Sequence, residues 1–126
     1  MNFRDSVLVI EDDDDVRGLI ATRLRMAGYS VVTAATGEAG LAAARAEPPA
    51  LVILDLLLPG IDGWQVLDAL RGDERFTDTA VLVVSVLDRD QYPDRIDGYI
   101  VKPFRGSQLE HSVGEILKPP KTEARS

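Results

Sequence analysis

The chain contains no cysteine among its 126 residues. A disulfide framework, a thiolate metal site and a cysteine nucleophile are therefore all excluded. A chain of this length fits one domain, and it can bury a hydrophobic core without covalent crosslinks. Any chemistry that the protein carries must come from its other polar side chains.

Long hydrophobic runs and clusters of basic residues are also missing. No apolar stretch approaches the ~20 residues of a membrane span, and the first five residues lack the apolar core of a secretory signal. We therefore expect a cytoplasmic protein with no membrane partner. The net charge of −7 is not offset by a stripe of Lys and Arg. Because such a surface repels phosphates, we expect no direct contact with nucleic acid.

Short apolar stretches alternate along the chain with patterns typical of amphipathic helices. The predicted strands cover residues 6–10, 30–34, 51–54, 80–85 and 99–101. The predicted helices run from Val16 to Met26, from Gly37 to the Pro48–Pro49 pair, over residues 63–70, and from Ser107 to Pro119; residues 71–78 are predicted to be a polar loop. This alternation predicts an α/β fold with a doubly wound, five-stranded parallel sheet and helices on both faces. We expect one domain over residues 1–118 and a C-terminal tail or linker at 119–126.

Chemically reactive side chains follow four of the five predicted strands. Glu11 and Asp12 follow the first strand, Asp55 the third and Lys102 the fifth, while Ser85 ends the fourth. In open parallel sheets, ligands bind beyond the carboxyl ends of the strands. The pattern therefore predicts a site at this edge, with Asp55 as its central residue because a buried apolar run delivers that carboxylate and then breaks at Pro59-Gly60.

Each of these residues also has a simpler explanation when it is taken alone. Asp55 could begin a turn or cap the next helix. The acids at 11–15 could complement a helix dipole, with Asp13 or Asp14 as the N-cap. Ser85 and Lys102 could be an ordinary strand-end hydroxyl and a solvated surface lysine. Together, however, the carboxylates would repel one another unless a cation compensates, and hard oxygen ligands suit Mg²⁺. An added ammonium and hydroxyl would complete a site for a phosphoryl group.

At these residues the sequence resembles the response-regulator receiver family, over roughly residues 6–118. The motifs that carry the resemblance are Val-Ile-Glu11-Asp12-Asp, Leu-Asp55-Leu-Leu-Leu-Pro-Gly-Ile-Asp-Gly, Val-Leu-Val-Val-Ser85 and Tyr99-Ile-Val-Lys102-Pro-Phe. The resemblance implies a CheY-like sheet with strand order 2-1-3-4-5. It also implies that Asp55 accepts a phosphoryl group from a histidine kinase or a phosphotransfer protein in two-component signalling.

The resemblance assigns the remaining roles around Asp55. Asp12 and Asp55 would bind Mg²⁺ through their side chains, Leu57 through its backbone carbonyl, and Glu11 through water. Lys102 would pair with the phosphoryl group, and Ser85 would move to bond one of its oxygens. Tyr99 would be the aromatic switch that turns inward as Ser85 moves. We therefore expect a signalling domain that catalyses only its own phosphorylation and dephosphorylation, rather than an enzyme with a separate substrate.

Two features depart from the family pattern. Only twelve residues, 86–97, separate Ser85 from Gly98, and Pro93 lies among them. This length is near the minimum for a crossover that contains a helix, so we expect the family's fourth helix to be short or absent and the protein to remain a monomer. The second departure is Val86, because the family prefers Ala or Gly there. We expect its branched side chain to crowd the entrance to Asp55.

Three other functions each share a feature with this sequence. A haloacid-dehalogenase-type phosphatase needs a second carboxylate two residues after its nucleophile, where this chain has Leu57. A nucleotide-binding function lacks its G-x-x-x-x-G-K-[ST] loop. An interaction module with the same fold but no phosphate signalling is favoured by the short connection and by Val86, and is opposed by the intact acids, Ser85 and Lys102. His111 is predicted to be a surface residue rather than a phosphate carrier.

Overall fold

Five parallel strands form the sheet of this computed structural model, which describes residues 5–118. The strands are β1 (Ser6–Ile10), β2 (Ser30–Ala34), β3 (Leu51–Leu54), β4 (Ala80–Ser85) and β5 (Gly98–Val101). The helices are α1 (Asp14–Met26), α2 (Gly37–Ala46), α3 (Gly63–Arg71) and α4 (Gly106–Ile116). The strand order β2-β1-β3-β4-β5 confirms the predicted doubly wound sheet. The tail or linker predicted at 119–126 lies outside the described residues.

The two faces of the sheet bury separate hydrophobic clusters, as side-chain alternation along a strand requires. On one face, Leu8 and Ile10 of β1 belong to a cluster that α2 and α3 cover. On the other face, Val7 and Val9 belong to a cluster that α1 and α4 cover. All residues of the central strand β3 are buried. This burial on both faces explains why β3 is a continuous apolar run instead of an alternating one.

Helix α1 begins where the acidic run after β1 provides a cap. The Asp13 side chain accepts a hydrogen bond of 3.0 Å from the backbone N–H of Val16, so Asp13 is the N-cap. Of the apolar residues that predicted this helix, Ile20 is buried, whereas Leu19 and Met26 are exposed. Asp14 and Asp15 in the first turn are exposed and place negative charge at the helix N-terminus, where it is favourable.

The connection from α3 to β4 is less polar than its sequence predicts. Asp73 caps a single 3₁₀ turn, Glu74–Phe76, by accepting a 2.9 Å hydrogen bond from the Arg75 N–H. This turn directs Phe76 into the cluster under α2 and α3, where it is 1% exposed. The loop therefore contributes a core residue, which its polar neighbours in the sequence conceal.

The connection from β4 to β5 contains only one short helical turn, the 3₁₀ turn Arg89–Gln91. The prediction that the fourth helix of the family is short or absent is therefore confirmed. Arg71, at the end of α3, holds the second half of this connection. Its guanidinium donates hydrogen bonds to the Arg95 carbonyl at 3.1 Å, to the Thr79 carbonyl at 2.8 Å and to Asp97 Oδ2 at 3.1 Å. The same Asp97 oxygen accepts a 2.8 Å hydrogen bond from the Val81 N–H.

Three element bounds differ by one residue from the sequence prediction: α3 ends at Arg71, β5 begins at Gly98 and α4 begins at Gly106. Helix α1 begins two residues earlier than predicted, at Asp14. Across residues 5–118, every helix is too short or too polar to span a bilayer.

Candidate functional site

The loop after β1 brings two carboxylates to the carboxyl edge of the sheet in different environments. Glu11 is buried, with 2% of its surface exposed, while Asp12 is exposed. Glu11 Oε2 accepts a 3.2 Å hydrogen bond from the Asp13 N–H. The Arg17 guanidinium, one turn into α1, donates to the carbonyls of Glu11 at 3.0 Å and of Asp12 at 3.4 Å. These contacts fix the backbone from which both acidic side chains extend.

Asp55 directly follows β3 and is 6% exposed. Its backbone N–H continues the ladder with β1 by donating to the Ile10 carbonyl at 3.1 Å. One carboxylate oxygen, Oδ1, accepts a 3.1 Å hydrogen bond from the Leu57 N–H. Asp55 therefore does not cap α3, since the Asp62 side chain does so by accepting from the Gln65 N–H at 2.9 Å. The Leu57 contact, two residues along the chain, is one by which an Asp begins a turn, so the turn explanation accounts for Oδ1. It does not account for Oδ2, which lies 3.0 Å from Lys102 Nζ.

Gly63 allows the first turn of α3 to pack against the backbone that carries Asp55. A Cβ atom at this position would lie 2.5 Å from the Asp55 carbonyl oxygen and 2.4 Å from Leu56 Cα. Both distances are too short for any side chain, and the obstacles are backbone atoms that cannot turn aside. The Gly63 N–H donates to the Leu56 carbonyl at 2.9 Å, which closes the loop between β3 and α3.

Three carboxylates meet at this edge. One oxygen atom from each of Glu11, Asp12 and Asp55 can be chosen so that all three lie within 4.8 Å of one another. Oxygen ligands at this spacing match the chemistry of a hard divalent cation. The donor set therefore fits a divalent metal ion.

Lys102 reaches across from the end of β5 and contacts two of these acids. Its Nζ atom lies 2.6 Å from Glu11 Oε1 and 3.0 Å from Asp55 Oδ2. Burial alone would lower the pKa of Lys102, but the hydrogen bonds that it donates to Glu11 and Asp55 outweigh this effect and raise the pKa. Lys102 is therefore a firmly charged ammonium.

Glu11 responds differently to the same environment. Burial raises the pKa of its carboxyl from 4.5 to about 7, and the nearby charge of Asp55 adds to this effect. The hydrogen bond from Lys102 acts in the opposite direction but does not fully compensate. The same contact thus affects the two pKa values unequally. Lys102 faces two carboxylates, whereas Glu11 shares one ammonium with a competing acid.

Ser85 and Tyr99 lie on the neighbouring strands. Ser85 is fully buried at the end of β4, and its Oγ accepts a 3.4 Å hydrogen bond from the Leu87 N–H. Tyr99 of β5 is 39% exposed and packs edge to face against Tyr92, with 5.2 Å between ring centroids. The Tyr92 hydroxyl donates to the Ser85 carbonyl at 3.3 Å. Sequence reasoning did not identify Tyr92, whose only signal is an aromatic residue within an otherwise polar connection.

Three apolar side chains were singled out from the sequence. Leu57 and Val86 are exposed, at 46% and 59%, while Leu87 is partly buried against the cluster under α2 and α3. The crowding of Asp55 by Val86 stays a prediction. His111 lies on α4 and is exposed, as predicted.

Most of the predicted site residues lie together at this edge of the sheet. Glu11, Asp12, Asp55 and Lys102 form one contiguous cluster of charges. Ser85 joins this cluster through the backbone, because its carbonyl accepts the Lys102 N–H at 2.8 Å. The roles assigned to these residues and to Leu57 and Tyr99 remain predictions.

Known proteins resemble this chain in sequence. Residues 7–114 match the family model described as the response regulator receiver domain. The DNA-binding dual master transcriptional regulator RpaA of Synechocystis is 38% identical over 119 residues, which cover 89% of this chain and 48% of that protein. The transcriptional regulatory protein AfsQ1 of Streptomyces coelicolor is 35% identical over 119 residues, which cover 90% of this chain and 51% of that protein. The chain spans about half the length of these relatives.

Solved structures show the same similarity. A putative response regulator from Chloroflexus aurantiacus has a TM-score of 0.85 at 31% identity, with 91% of this chain and 98% of that chain covered. The response regulator TrrA of Thermotoga maritima, solved in complex with Mg²⁺ and BeF, has a TM-score of 0.80 at 29% identity, with 89% and 98% covered. The fold of this chain is therefore that of solved response regulators.

Proposed function

This chain belongs to the response regulator receiver domain family, and we propose that it accepts a phosphoryl group on Asp55 in two-component signal transduction. The observation that carries the proposal is the position of Lys102 Nζ, 3.0 Å from Asp55 Oδ2 and 2.6 Å from Glu11 Oε1. A buried carboxylate beside a firmly charged ammonium provides a nucleophile together with a cation for the negative charge of an incoming phosphoryl group.

The donor in this proposal is a phosphohistidine on a histidine kinase or a phosphotransfer protein. A carboxylate oxygen of Asp55 attacks phosphorus, the phosphorus–nitrogen bond breaks, and the imidazole leaves with the bonding electron pair and takes up a proton. The N–H of Leu57 holds Oδ1 at 3.1 Å and so orients the carboxylate. Lys102 then pairs with the transferred group. The reaction changes the state of the domain itself, and the later loss of phosphate to water is also self-catalysed.

The acidic cluster supports Mg²⁺ as the metal of this reaction. Asp12 and Asp55 would hold it through their side chains, Leu57 through its backbone carbonyl, and Glu11 through water. When bound, Mg²⁺ supplies positive charge against the phosphoryl oxygens. Of the two direct carboxylates, Asp12 is exposed and Asp55 is buried. Arg17 keeps the Asp12 backbone in place through the carbonyl of that residue.

The signal would leave the site through Ser85 and Tyr99. Phosphorylation biases a protein between two conformations and does not create a new one. In the proposed activated state, the Ser85 hydroxyl moves to bond a phosphoryl oxygen, and Tyr99 turns inward. The 39% exposure of Tyr99 in this structure is consistent with the resting state.

Intact-mass spectrometry tests the proposal directly. The wild type, incubated with acetyl phosphate and Mg²⁺, should gain the mass of one phosphoryl group, and Asp55→Asn should not. Asp62→Asn is the matched control, because Asp62 caps α3 near the same loop without contacting Lys102. An adduct on Asp55→Asn, or equal loss of the adduct in both variants, would overturn the assignment of Asp55.

A second candidate is an interaction module that has the receiver fold but does not signal by phosphate. The β4–β5 connection contains one 3₁₀ turn where the family has its fourth helix. This difference favours the second candidate, because the family uses that helix in the surface that transmits the signal. The same experiment separates the two functions, since an interaction module would show no adduct in the wild type.

The net charge of the chain bears on whether nucleic acid is a partner. RpaA is named as a DNA-binding protein, but it is about twice as long as the stretch that matches it. For residues 1–126 themselves, a net charge of −7 argues against direct contact with nucleic acid. The cytoplasmic location expected from the sequence stays a prediction.

A further inference from the structure

The hydroxyl of Tyr92 lies where β4 and β5 end together. The Ser85 carbonyl accepts two hydrogen bonds, one from the Lys102 N–H at 2.8 Å and one from Tyr92 Oη at 3.3 Å. One oxygen atom thus joins Tyr92 to the backbones of both residues that the proposed function places on the phosphoryl group. Tyr92 does not belong to the charged cluster, and its contact is with the backbone that carries the switch hydroxyl.

The ring of Tyr92 makes a second contact, with Tyr99. The two rings meet edge to face, with an interplanar angle of 79° and 5.2 Å between centroids. Aromatic pairs in this orientation attract one another beyond the area that they bury. The contact therefore favours the position that Tyr99 has in this structure, where its ring is partly exposed.

Tyr92 is itself held from both sides. Its ring packs against the cluster under α2 and α3. On its N-terminal side, Gln91 closes the 3₁₀ turn by accepting a 3.2 Å hydrogen bond from the Asp88 N–H. On its C-terminal side, the Arg71 guanidinium holds the Arg95 carbonyl and the Asp97 carboxylate. An inward turn of the Tyr99 ring, or a shift of the Ser85 backbone, would therefore leave Tyr92 behind and break one of its contacts.

We propose that Tyr92 is a positioning residue that holds Ser85 and Tyr99 in their resting arrangement and thereby opposes phosphorylation of Asp55. The inference rests on the proposed function and names a regulator of the same site. An interaction present only in the resting state lowers the population of the activated state. Its removal should therefore raise both the inward population of Tyr99 and the rate of phosphorylation.

Fluorine NMR of the protein labelled with 3-fluorotyrosine measures the first effect. The chain has three tyrosines, so Tyr→Phe variants assign each resonance. In the metal-free protein, the solvent-isotope shift of Tyr99 reports its exposure. Tyr92→Leu removes both contacts and should lower that exposure, whereas Tyr92→Phe keeps the ring pair and should change it less. Tyr29→Phe is the control, because Tyr29 packs in the cluster under α1 and α4.

The second measurement is the initial rate of phosphorylation by acetyl phosphate with Mg²⁺. Tyr92→Leu should be faster than wild type by about two- to tenfold, the range expected from loss of one aromatic pair. Tyr92→Phe should lie between the two, and Tyr29→Phe should match the wild type. This ordering distinguishes a positioning role from simple loss of packing, which would slow the reaction.

Unchanged or slower phosphorylation in Tyr92→Leu, together with unchanged exposure of Tyr99, would overturn the inference. If Tyr92→Leu fails to fold, as circular dichroism would show, the Tyr92→Phe variant decides, and a rate equal to wild type counts against the proposal. Absence of an adduct in every protein would refute the proposed function alone. The exposure of Tyr99 in the metal-free protein would still test whether Tyr92 positions it.

Discussion

Lys102 Nζ lies closer to Glu11 than to the proposed phosphoacceptor Asp55, at 2.6 Å against 3.0 Å. One ammonium is thus shared by two buried carboxylates, and Glu11 competes with Asp55 for it. Arrival of a phosphoryl group would bring further negative charge to the same cation. In the resting site both carboxylates therefore depend on the same ammonium. Protonation of Glu11 would leave more of that positive charge to Asp55.

We expect Glu11→Gln to change how stability depends on pH. Burial raises the pKa of Glu11 to about 7 from 4.5, so the folded state binds this proton more tightly than the unfolded state does. Its contribution to the free energy of unfolding is therefore largest below pH 4.5 and is lost as the pH rises to about 7. The difference is of order 1–3 kcal/mol.

Urea unfolding at pH 5 and pH 8 in the presence of EDTA measures this effect. The wild type should lose more stability between the two values than Glu11→Gln does. Glu115→Gln replaces an exposed glutamate of α4 and should behave like the wild type. Parallel pH profiles for the wild type and Glu11→Gln would contradict the assignment.

Mg²⁺ binding should need both direct carboxylates. Neither Asp12 nor Asp55 alone offsets the dehydration of Mg²⁺, which keeps several waters and depends on one or two carboxylates. We expect Asp12→Ala to abolish nearly all binding in a titration that follows the fluorescence of Trp64, a half-buried residue in the first turn of α3. Asp15→Ala, an exposed acid in the first turn of α1, should bind normally. Unchanged affinity in Asp12→Ala would remove it from the ligand set.

The protein should remain a monomer when it is activated. A standard interface buries about 800 Å² per partner, and the β4–β5 connection provides one 3₁₀ turn where the family has a helix. Light scattering of the protein with beryllofluoride and Mg²⁺ should give the mass of one chain across a wide concentration range. A dimer induced by beryllofluoride would show that the remaining surface is sufficient.

The phosphorylated state should be long-lived. Hydrolysis needs a water molecule in line with phosphorus, and polar side chains position such water in phosphoryl-transfer enzymes. The side chains two residues after Asp55 and Ser85 are Leu57 and Leu87, and neither donates or accepts a hydrogen bond. Leu57→Asn or Leu87→Glu should speed the loss of phosphate, by roughly tenfold for each 1.36 kcal/mol of barrier removed.

Mass spectrometry after removal of the phosphodonor follows this loss. Leu19→Asn is the matched control, because Leu19 on α1 has the same 46% exposure as Leu57 but lies on another face. It should leave the lifetime unchanged. Decay of the wild type within seconds, or no acceleration in either test variant, would show that apolar shielding does not set the lifetime.

The sheet could be predicted from the sequence because its signals are local. β3 and β4 are apolar runs bounded by Pro, Gly or polar residues, and their ends were predicted at Leu54 and Ser85 as the structure has them. Burial was harder to predict where an apolar residue has polar neighbours in the sequence. Phe76 is buried although polar residues surround it in the sequence, because the Asp73 cap turns the chain toward the core.

The site was predicted as a set of residues but not as a set of contacts. Strand ends identify Glu11, Asp12, Asp55, Ser85 and Lys102, since the carboxyl ends of parallel strands meet at one edge. The pairing of Lys102 with Glu11 joins residues 91 positions apart, and Glu11 was expected only to reach a metal through water. The contacts of Tyr92 were missed for the same reason. They depend on the path of a connection that has no repeating pattern to read.

The hydrogen bonds of Arg71 link two points of the β4–β5 connection to a single side chain. A helix is held by many backbone bonds and frays one residue at a time from its ends. Here one guanidinium anchors the Arg95 carbonyl and the Asp97 carboxylate together, so we expect both anchor points to be released together when Arg71 moves. Local opening of this kind exchanges backbone amides in a block, at a free energy well below global unfolding. We therefore expect the hydrogen bonds of Arg71 to influence how often the segment that carries Tyr92 opens.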